Sequence, residues 1–292
     1  MAASTEPTPP AWTALIDDAA TFPPGDAELL TAAAAYADRS GTPDAPLVRS
    51  FVVRDTDLPR FAVAEGVAMP LSVVVTGGAG QLAGPTAHCA RHGRELAGLE
   101  IALRDLDDLP GNARRVVAAV DAARADGSLA DDVPVFVELP QQEPSAGWLA
   151  AADEVAAAEL RLKLRTGGVE PQQAPAAATL AAWVDAALDR ETPFKCTAGL
   201  HRAVRHTAAD GAEQHGFLNL LVATRLAFDG AGGDEVLATL EQRDAEALLA
   251  AAAAADLAGA RRWFTSFGSC SVDEPLADLR ALGLLRVNGA AL

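Results

Sequence analysis

"ELRLKLRTGG", residues 159 to 168, alternates in the manner of a β-strand. On an extended chain Leu160, Leu162 and Leu164 share one face, and Arg161, Lys163 and Arg165 share the other. If the outer face of this strand is covered by helices, as in a barrel, the leucines face outward and the three cations inward. A second stretch, "TPFKCTAGLHRAVRH" from Thr192 to His206, repeats the arrangement: Phe194 and Cys196 belong outside, Lys195 and Thr197 inside. Lys163 and Lys195 are the only two lysines among the 23 Lys and Arg residues of the 292-residue chain. Arginine serves as the general cation, so a retained lysine points to work that a guanidinium cannot do, such as losing a proton and acting as an amine.

Outward from these two strands the chain alternates between short apolar runs and Ala/Leu-rich segments of helical period. The runs are Trp12–Ile16, Leu47–Val53, Leu71–Val75, Leu99–Leu103, Val133–Leu139, Leu160–Arg165, Phe194–Thr197 and Trp263–Phe267. "NARRVVAAVDAARADG", "AGWLAAADEVAAAE" and "AAATLAAWVDAALDR" are among the helical segments between them. Eight β/α repeats in this length predict an α/β fold, a (β/α)₈ TIM barrel. No GxGxxG or P-loop follows the first run, which weakens the alternative of an open nucleotide-binding sheet. About 65 residues separate the seventh and eighth runs, too many for one crossover. The surplus, about 231–258, reads as a helical insertion. Residues 1–10 are polar and Pro-rich and read as a disordered tail, with 11–292 as one barrel domain.

A net charge of −17 argues against nucleic acid and anionic membrane as partners. It also makes the seven cations between Arg161 and Arg205 a local feature. Three cysteines, no secretory apolar segment and no run of 18 apolar residues predict a cytoplasmic protein whose thiols are packing residues, Cys196 pointing into the helix layer. Adjacent sixth and seventh strands aim two amines into one barrel mouth. Burial and a cationic neighbour both lower a lysine pKa, so Lys195 is expected to keep Lys163 neutral.

At these residues the sequence resembles the deoxyribose-phosphate aldolase family, class I aldolases on (β/α)₈ barrels. Lys163-Leu164-Arg165-Thr166-Gly167 has the form of that family's Lys-x-x-Thr-Gly, and Lys195-Cys196-Thr197-Ala198-Gly199 that of its Lys-x-Ser/Thr-x-Gly. "FGSCS" (Phe267 to Ser271) is similar to its phosphate loop, "LIDD" (Leu15 to Asp18) to its first strand and "VFVEL" to its fifth. The resemblance spans nearly the whole chain. It implies Lys163 as the Schiff-base lysine and Lys195 as its partner, and it places Asp17 and Glu138; with His201, a histidine in the loop after the seventh strand, these are the groups expected to hold water and move protons. It implies phosphate held by Gly168, Gly199, Ser269 and neighbouring backbone, and Arg165, Gly167, Thr197, Gly268 and Ser271 complete the expected binding residues for the substrate's anionic group. The sequence departs from the family on the fourth strand, where Ala102 in "LEIALRD" replaces a relay aspartate, and after Asp17, where Asp18-Ala19 replaces His-Thr. Glu100 and Asp17 are the residues placed to take over that relay.

The expected function is therefore a class I aldolase-like lyase acting on a small anionic carbonyl substrate, without cofactor or metal; a homodimer is compatible with this reading. The alternative is a non-covalent barrel that binds an anionic metabolite through a clamp of Arg161, Lys163, Arg165 and Lys195. Ser271 and Glu274 form a capping-box pattern. "TGGAG" (Thr76–Gly80) reads as a loop, His206 and His215 as surface residues, and His88 and His92 as one solvated helix face, although their i, i+4 spacing is also that of a metal pair.

Overall fold

The computed structural model describes residues 7–61, 69–168 and 174–285. The strand β6 (Arg161–Arg165) carries its leucines outward, fully buried under helices, and its cations inward. Seven further strands take the same approach: β1 (Ile16–Asp18), β2 (Val48–Arg54), β3 (Leu71–Val75), β4 (Leu96–Ala102), β5 (Val135–Glu138), β7 (Phe194–Thr197) and β10 (Phe264–Ser269). They pair in parallel in the order β1-β10-β7-β6-β5-β4-β3-β2 and close on themselves. The fold is a (β/α)₈ TIM barrel.

Local signals account for the helices that cover it. In α4 (Leu109–Ala125) the Asp108 carboxylate accepts from the Gly111 N–H at 2.8 Å and Pro110 sits in the first turn. Leu109, Ala113, Val116, Val120 and Ala123 recur at helical spacing and form the buried stripe. Ser145 caps α5 (Ala146–Ala157), which packs against α4. Trp148 and Trp183, the latter in α6 (Ala177–Asp189), are core residues whose indole N–H groups donate to the carbonyls of Pro140 and Gln142.

Several boundaries or placements refine or differ from expectation. Trp12–Leu15 is a turn, with β1 starting only at Ile16; a short apolar run does not distinguish a strand from a buried turn. The expected disordered tail is part of that turn at its end, since the Pro9 carbonyl accepts from the Trp12 and Thr13 N–H groups. Before β10 lie α7 (Phe217–Phe228), α8 (Gly233–Glu241), α9 (Ala245–Ala254) and α10 (Leu257–Ala260). Phe217 of α7 stacks on Phe267 at 5.0 Å, which makes α7 the barrel's own crossover helix and α8 to α10 the insertion. A short hairpin, β8 (His206–Thr207) with β9 (Glu213–Gln214), had no signal in the sequence because each strand is two residues long. His215, expected at the surface, is buried with Nε2 2.8 Å from the Pro175 carbonyl oxygen. Among the described residues no helix is long and apolar enough to cross a membrane.

Candidate active site

The barrel interior is where the inward residues of eight strands must coexist, and here most are polar. Asp17, Ser50, Ser72, Glu100, Lys163, Lys195 and Ser266 are all buried. Burying a charge without a partner is prohibitively costly, so these groups have to neutralise one another.

They do so as a chain of alternating sign. Glu138 Oε2 accepts from Lys163 Nζ at 2.8 Å, and Lys163 Nζ also meets Glu100 Oε2 at 2.8 Å. The other oxygen of Glu100 accepts from Lys195 Nζ at 2.6 Å, and Lys195 donates onward to Asp17 Oδ2 at 2.5 Å. Asp17 Oδ1 ends the series by accepting from Arg49 Nη1 at 3.1 Å, with the Ser50 and Ser266 hydroxyls donating to its two oxygens at 2.5 and 2.7 Å. Strand register produces the order, because Glu138, Lys163 and Lys195 are direct partners across β5, β6 and β7.

Each ionisation state follows from its neighbours. Burial alone raises the Glu100 carboxyl, but Lys163 and then Lys195 outweigh it and hold the pKa at about 2. Burial also works against the Asp17 carboxylate, and Lys195 and Arg49 bring it well below the usual range. For Lys163 burial favours the neutral amine, yet Glu100 and Glu138 hold its pKa above the ordinary lysine value. This corrects the expectation that Lys195 keeps Lys163 neutral. Glu100 stands between the two amines and converts repulsion into a shared ion pair. In the sequence Glu100 was legible as a stand-in for the missing relay aspartate; its position between two lysines is a property of the closed barrel.

Above this chain, at the C-terminal ends of the strands, lies a cavity of about 430 Å³. Lys163 and Lys195 reach its floor, and Glu138, Arg165 and Thr197 stand on its wall. Gly167, Gly168, Gly199 and Gly268 bring backbone to its surface. Gly199 has φ +77°, and a Cβ on Gly167 would lie 3.1 Å from the Gly199 Cα, so these two positions let the loops after β6 and β7 touch. Thr166 ties the same loops together through its hydroxyl, which donates to the Ala198 carbonyl at 2.6 Å. His201, Cys270 and residues of the β8–β9 hairpin form the rim.

Three expected site residues do not line the cavity. Asp17 lies beneath it, fully enclosed by its four partners, and so has no face left for a catalytic water. The Ser269 hydroxyl donates to the Ser271 carbonyl at 2.6 Å, and the Ser271 hydroxyl accepts from the Glu274 N–H at 3.3 Å just before α11 (Asp273–Ala281). Both serines are thus tied into the turn before the helix, but the expected capping box is only half formed, because the Ser271 N–H donates to the Ser269 hydroxyl and the Glu274 carboxylate turns to His201. The four-cation clamp is not assembled either: Arg161 stacks 5.7 Å from the Phe136 ring centroid away from the cavity, and both lysines are already neutralised. Among the described residues, Arg104 and Arg165 line the cavity without an ion-pair partner.

A closed (β/α)₈ barrel with paired lysines and carboxylates below a mouth of glycine loops is the class that fold and site define. No family model and no curated protein matches the chain. Among solved structures it is similar to a tetrameric deoxyribose phosphate aldolase from Aeropyrum pernix, with a TM-score of 0.55 over 94% of this chain and 93% of that one. The two are 13% identical, a likeness that establishes the shared fold.

Proposed function

We propose that the protein is a carbon–carbon lyase of the class I aldolase type, acting on a small carbonyl compound that bears phosphate or carboxylate. The observation that carries this reading is Lys163: its amine opens onto the cavity while held at 2.8 Å by both Glu100 and Glu138. An ammonium has three donors, and two are spoken for by these carboxylates.

Between its two carboxylates Lys163 is charged and must lose a proton before it attacks. A substrate that displaces water from the cavity disfavours the charged Lys163–Glu138 pair relative to its neutral form, so the proton passes to Glu138. Glu100 cannot take it as readily, because Lys195 continues to hold that carboxylate ionised. The free amine adds to the carbonyl carbon, and Glu138 returns the proton to the carbonyl oxygen. Loss of water then leaves an iminium whose charge rests against Glu100, in the place the ammonium held. The adjacent C–C bond breaks as the Glu138 carboxylate takes the β-hydroxyl proton: the O–H pair forms the new C=O, the C–C pair flows into the iminium, and one carbonyl product leaves an enamine. Glu138 then protonates the enamine carbon, and water hydrolyses the second iminium. Glu138 is also the register partner of Ala102, so a carboxylate from the neighbouring strand stands beside the position where the resembling family carries its aspartate. Arg165 and the backbone of Gly168 and Gly199 supply the surface for the substrate's anionic group.

Borohydride added with a panel of small aldehydes and ketones tests this, read by intact mass and peptide mapping. The expected result is one adduct, at Lys163, absent in Lys163→Arg; an adduct at Lys195 instead reverses the assignment. The second reading, a non-covalent anion-binding barrel, is favoured by Arg104 and Arg165, which line the cavity without an ion-pair partner among the described residues, and by the two carboxylates that keep Lys163 from acting as an amine. Failure of the whole panel to label the protein, with phosphate still binding, selects it.

A further inference from the structure

Cys270 is the one cysteine of the three that is not fully enclosed, and it does not stand alone. Its sulfur lies 3.7 Å from His201 Nε2, and His201 Nδ1 lies 2.8 Å from Glu274 Oε2. A carboxylate only accepts, so Nδ1 carries the proton and donates it, and Nε2 is left with its lone pair toward the thiol. Three separate elements build this: the loop after β7 supplies His201, the end of β10 runs into Cys270, and the first turn of α11 supplies Glu274. The Glu274 N–H donates to the Ser271 hydroxyl at 3.3 Å, which anchors that first turn. The loop after β1 packs against the cysteine, where a Cβ on Gly25 would lie 3.0 Å from the Cys270 Cβ. Cys270 and His201 both line the cavity that holds Lys163.

We propose that Cys270, His201 and Glu274 form a second nucleophilic site at the cavity mouth, which takes an aldehyde as a reversible hemithioacetal. The proposal rests on the reading of the cavity as a carbonyl site, and it does not require an iminium on Lys163. In the step, the Cys270 S–H proton moves to His201 Nε2 as the sulfur–carbon bond forms. The carbonyl π pair becomes an alkoxide, and His201 hands the proton to that oxygen. No leaving group, oxidant or reductant takes part. Glu274 keeps Nδ1–H oriented and stabilises the transient imidazolium, which makes it a positioning residue. Burial, with the charges of Glu274 and of Asp26 in the loop after β1, raises the Cys270 pKa, so the resting group is a thiol that needs His201 as its base. The adjacent Arg202 is taken up by Asp278 at 2.8 Å and leaves Glu274 to His201.

The test is alkylation of the full-length protein by iodoacetamide across a pH series about neutrality, with and without propanal, mapped to each cysteine. Cys270 should label first, with Cys89 and Cys196 protected in the native state and so reporting that each variant is folded. His201→Asn should slow Cys270 labelling about a hundredfold, the lower range for loss of a positioned base, and remove its pH inflection. Glu274→Gln should shift that inflection while retaining most of the rate. Propanal should protect Cys270 in the wild type and equally in Lys163→Arg, and isotope-labelled propanal should give a hemithioacetal carbon signal that Cys270→Ser abolishes. Protection lost in Lys163→Arg would mean that the aldehyde sits on the lysine and merely shields the thiol, which overturns this proposal and leaves the Schiff-base reading standing. Protection retained with no borohydride adduct on Lys163 has the opposite meaning. Labelling of Cys270 that is indifferent to His201→Asn sinks the proposal outright.

Discussion

Glu100→Gln removes one negative charge and almost no volume from the middle of the buried chain. In the native protein the Glu100 carboxyl sits at about 2 against its ordinary value of 4.5, a difference that amounts to about 3 kcal/mol of folding stability at neutral pH. The side chain is 2% exposed, so solvent screening takes little from that figure. Removing one partner of a buried ion pair costs about 3–5 kcal/mol by a separate route, and the two agree. The sign follows from the direction of the shift. A carboxyl with a depressed folded pKa contributes fully above its unfolded value and loses that contribution as pH falls through the folded one. The deficit of the variant should therefore be about 3 kcal/mol above about pH 5, and should shrink as pH falls from 4.5 toward 2. Urea denaturation of wild type and variant across that range gives the difference curve directly, and thermal midpoints should separate by about 6–12 °C near neutrality. The variant should also expose Lys163 to Lys195 without the intervening carboxylate, lowering the pH at which borohydride traps a carbonyl adduct. A deficit below about 1 kcal/mol, or one that does not change between neutral and acidic pH, would show that Glu100 does not hold the two lysines as described.

Other substitutions probe separate parts of the site. Lys195→Met leaves Asp17 fully buried with Arg49 as its remaining cation and should cost about 3–5 kcal/mol by denaturation; Lys195→Arg should not restore it, because the larger planar group has no room in a slot that is 1% exposed. Gly199→Ala forces a side chain onto φ +77° and toward the Gly167 backbone, and should lose about 1–3 kcal/mol of stability together with affinity for phosphate measured by calorimetry. With Ala102 in place of a relay aspartate, acetaldehyde release from deoxyribose 5-phosphate should run about 10²–10⁴ below ordinary enzyme rates, and Ala102→Asp should recover part of it. Ordinary turnover by the unaltered protein would mean that Glu138, which stands beside Ala102 on β5, serves this substrate as fully as an aspartate at position 102 would.

The period-two alternation of "LRLKLR" and "FKCT" was enough to predict two inward lysines, because in a helix-covered barrel the leucines and phenylalanine have only one place to go. Eight such runs with helical segments between them were enough for the barrel. Strand ends, the β8–β9 hairpin and the turn at Trp12–Leu15 were not legible, since two to four residues carry no periodicity of their own. The partners of the lysines were out of reach for a different reason. Asp17, Glu100, Lys163 and Lys195 are separated by tens of residues or more along the chain, and only the shear of the closed sheet decides which inward groups fall within 3 Å of one another. The sequence read alone placed two cations side by side and inferred repulsion; closure of the barrel put Glu100 between them and reversed the sign. Cys270 and His201 tell the same story at the mouth, where a thiol that reads as packing acquires an imidazole because the ends of β7 and β10 are neighbours. Local pattern sets which way a side chain points, and an electrostatic site depends on what it meets there.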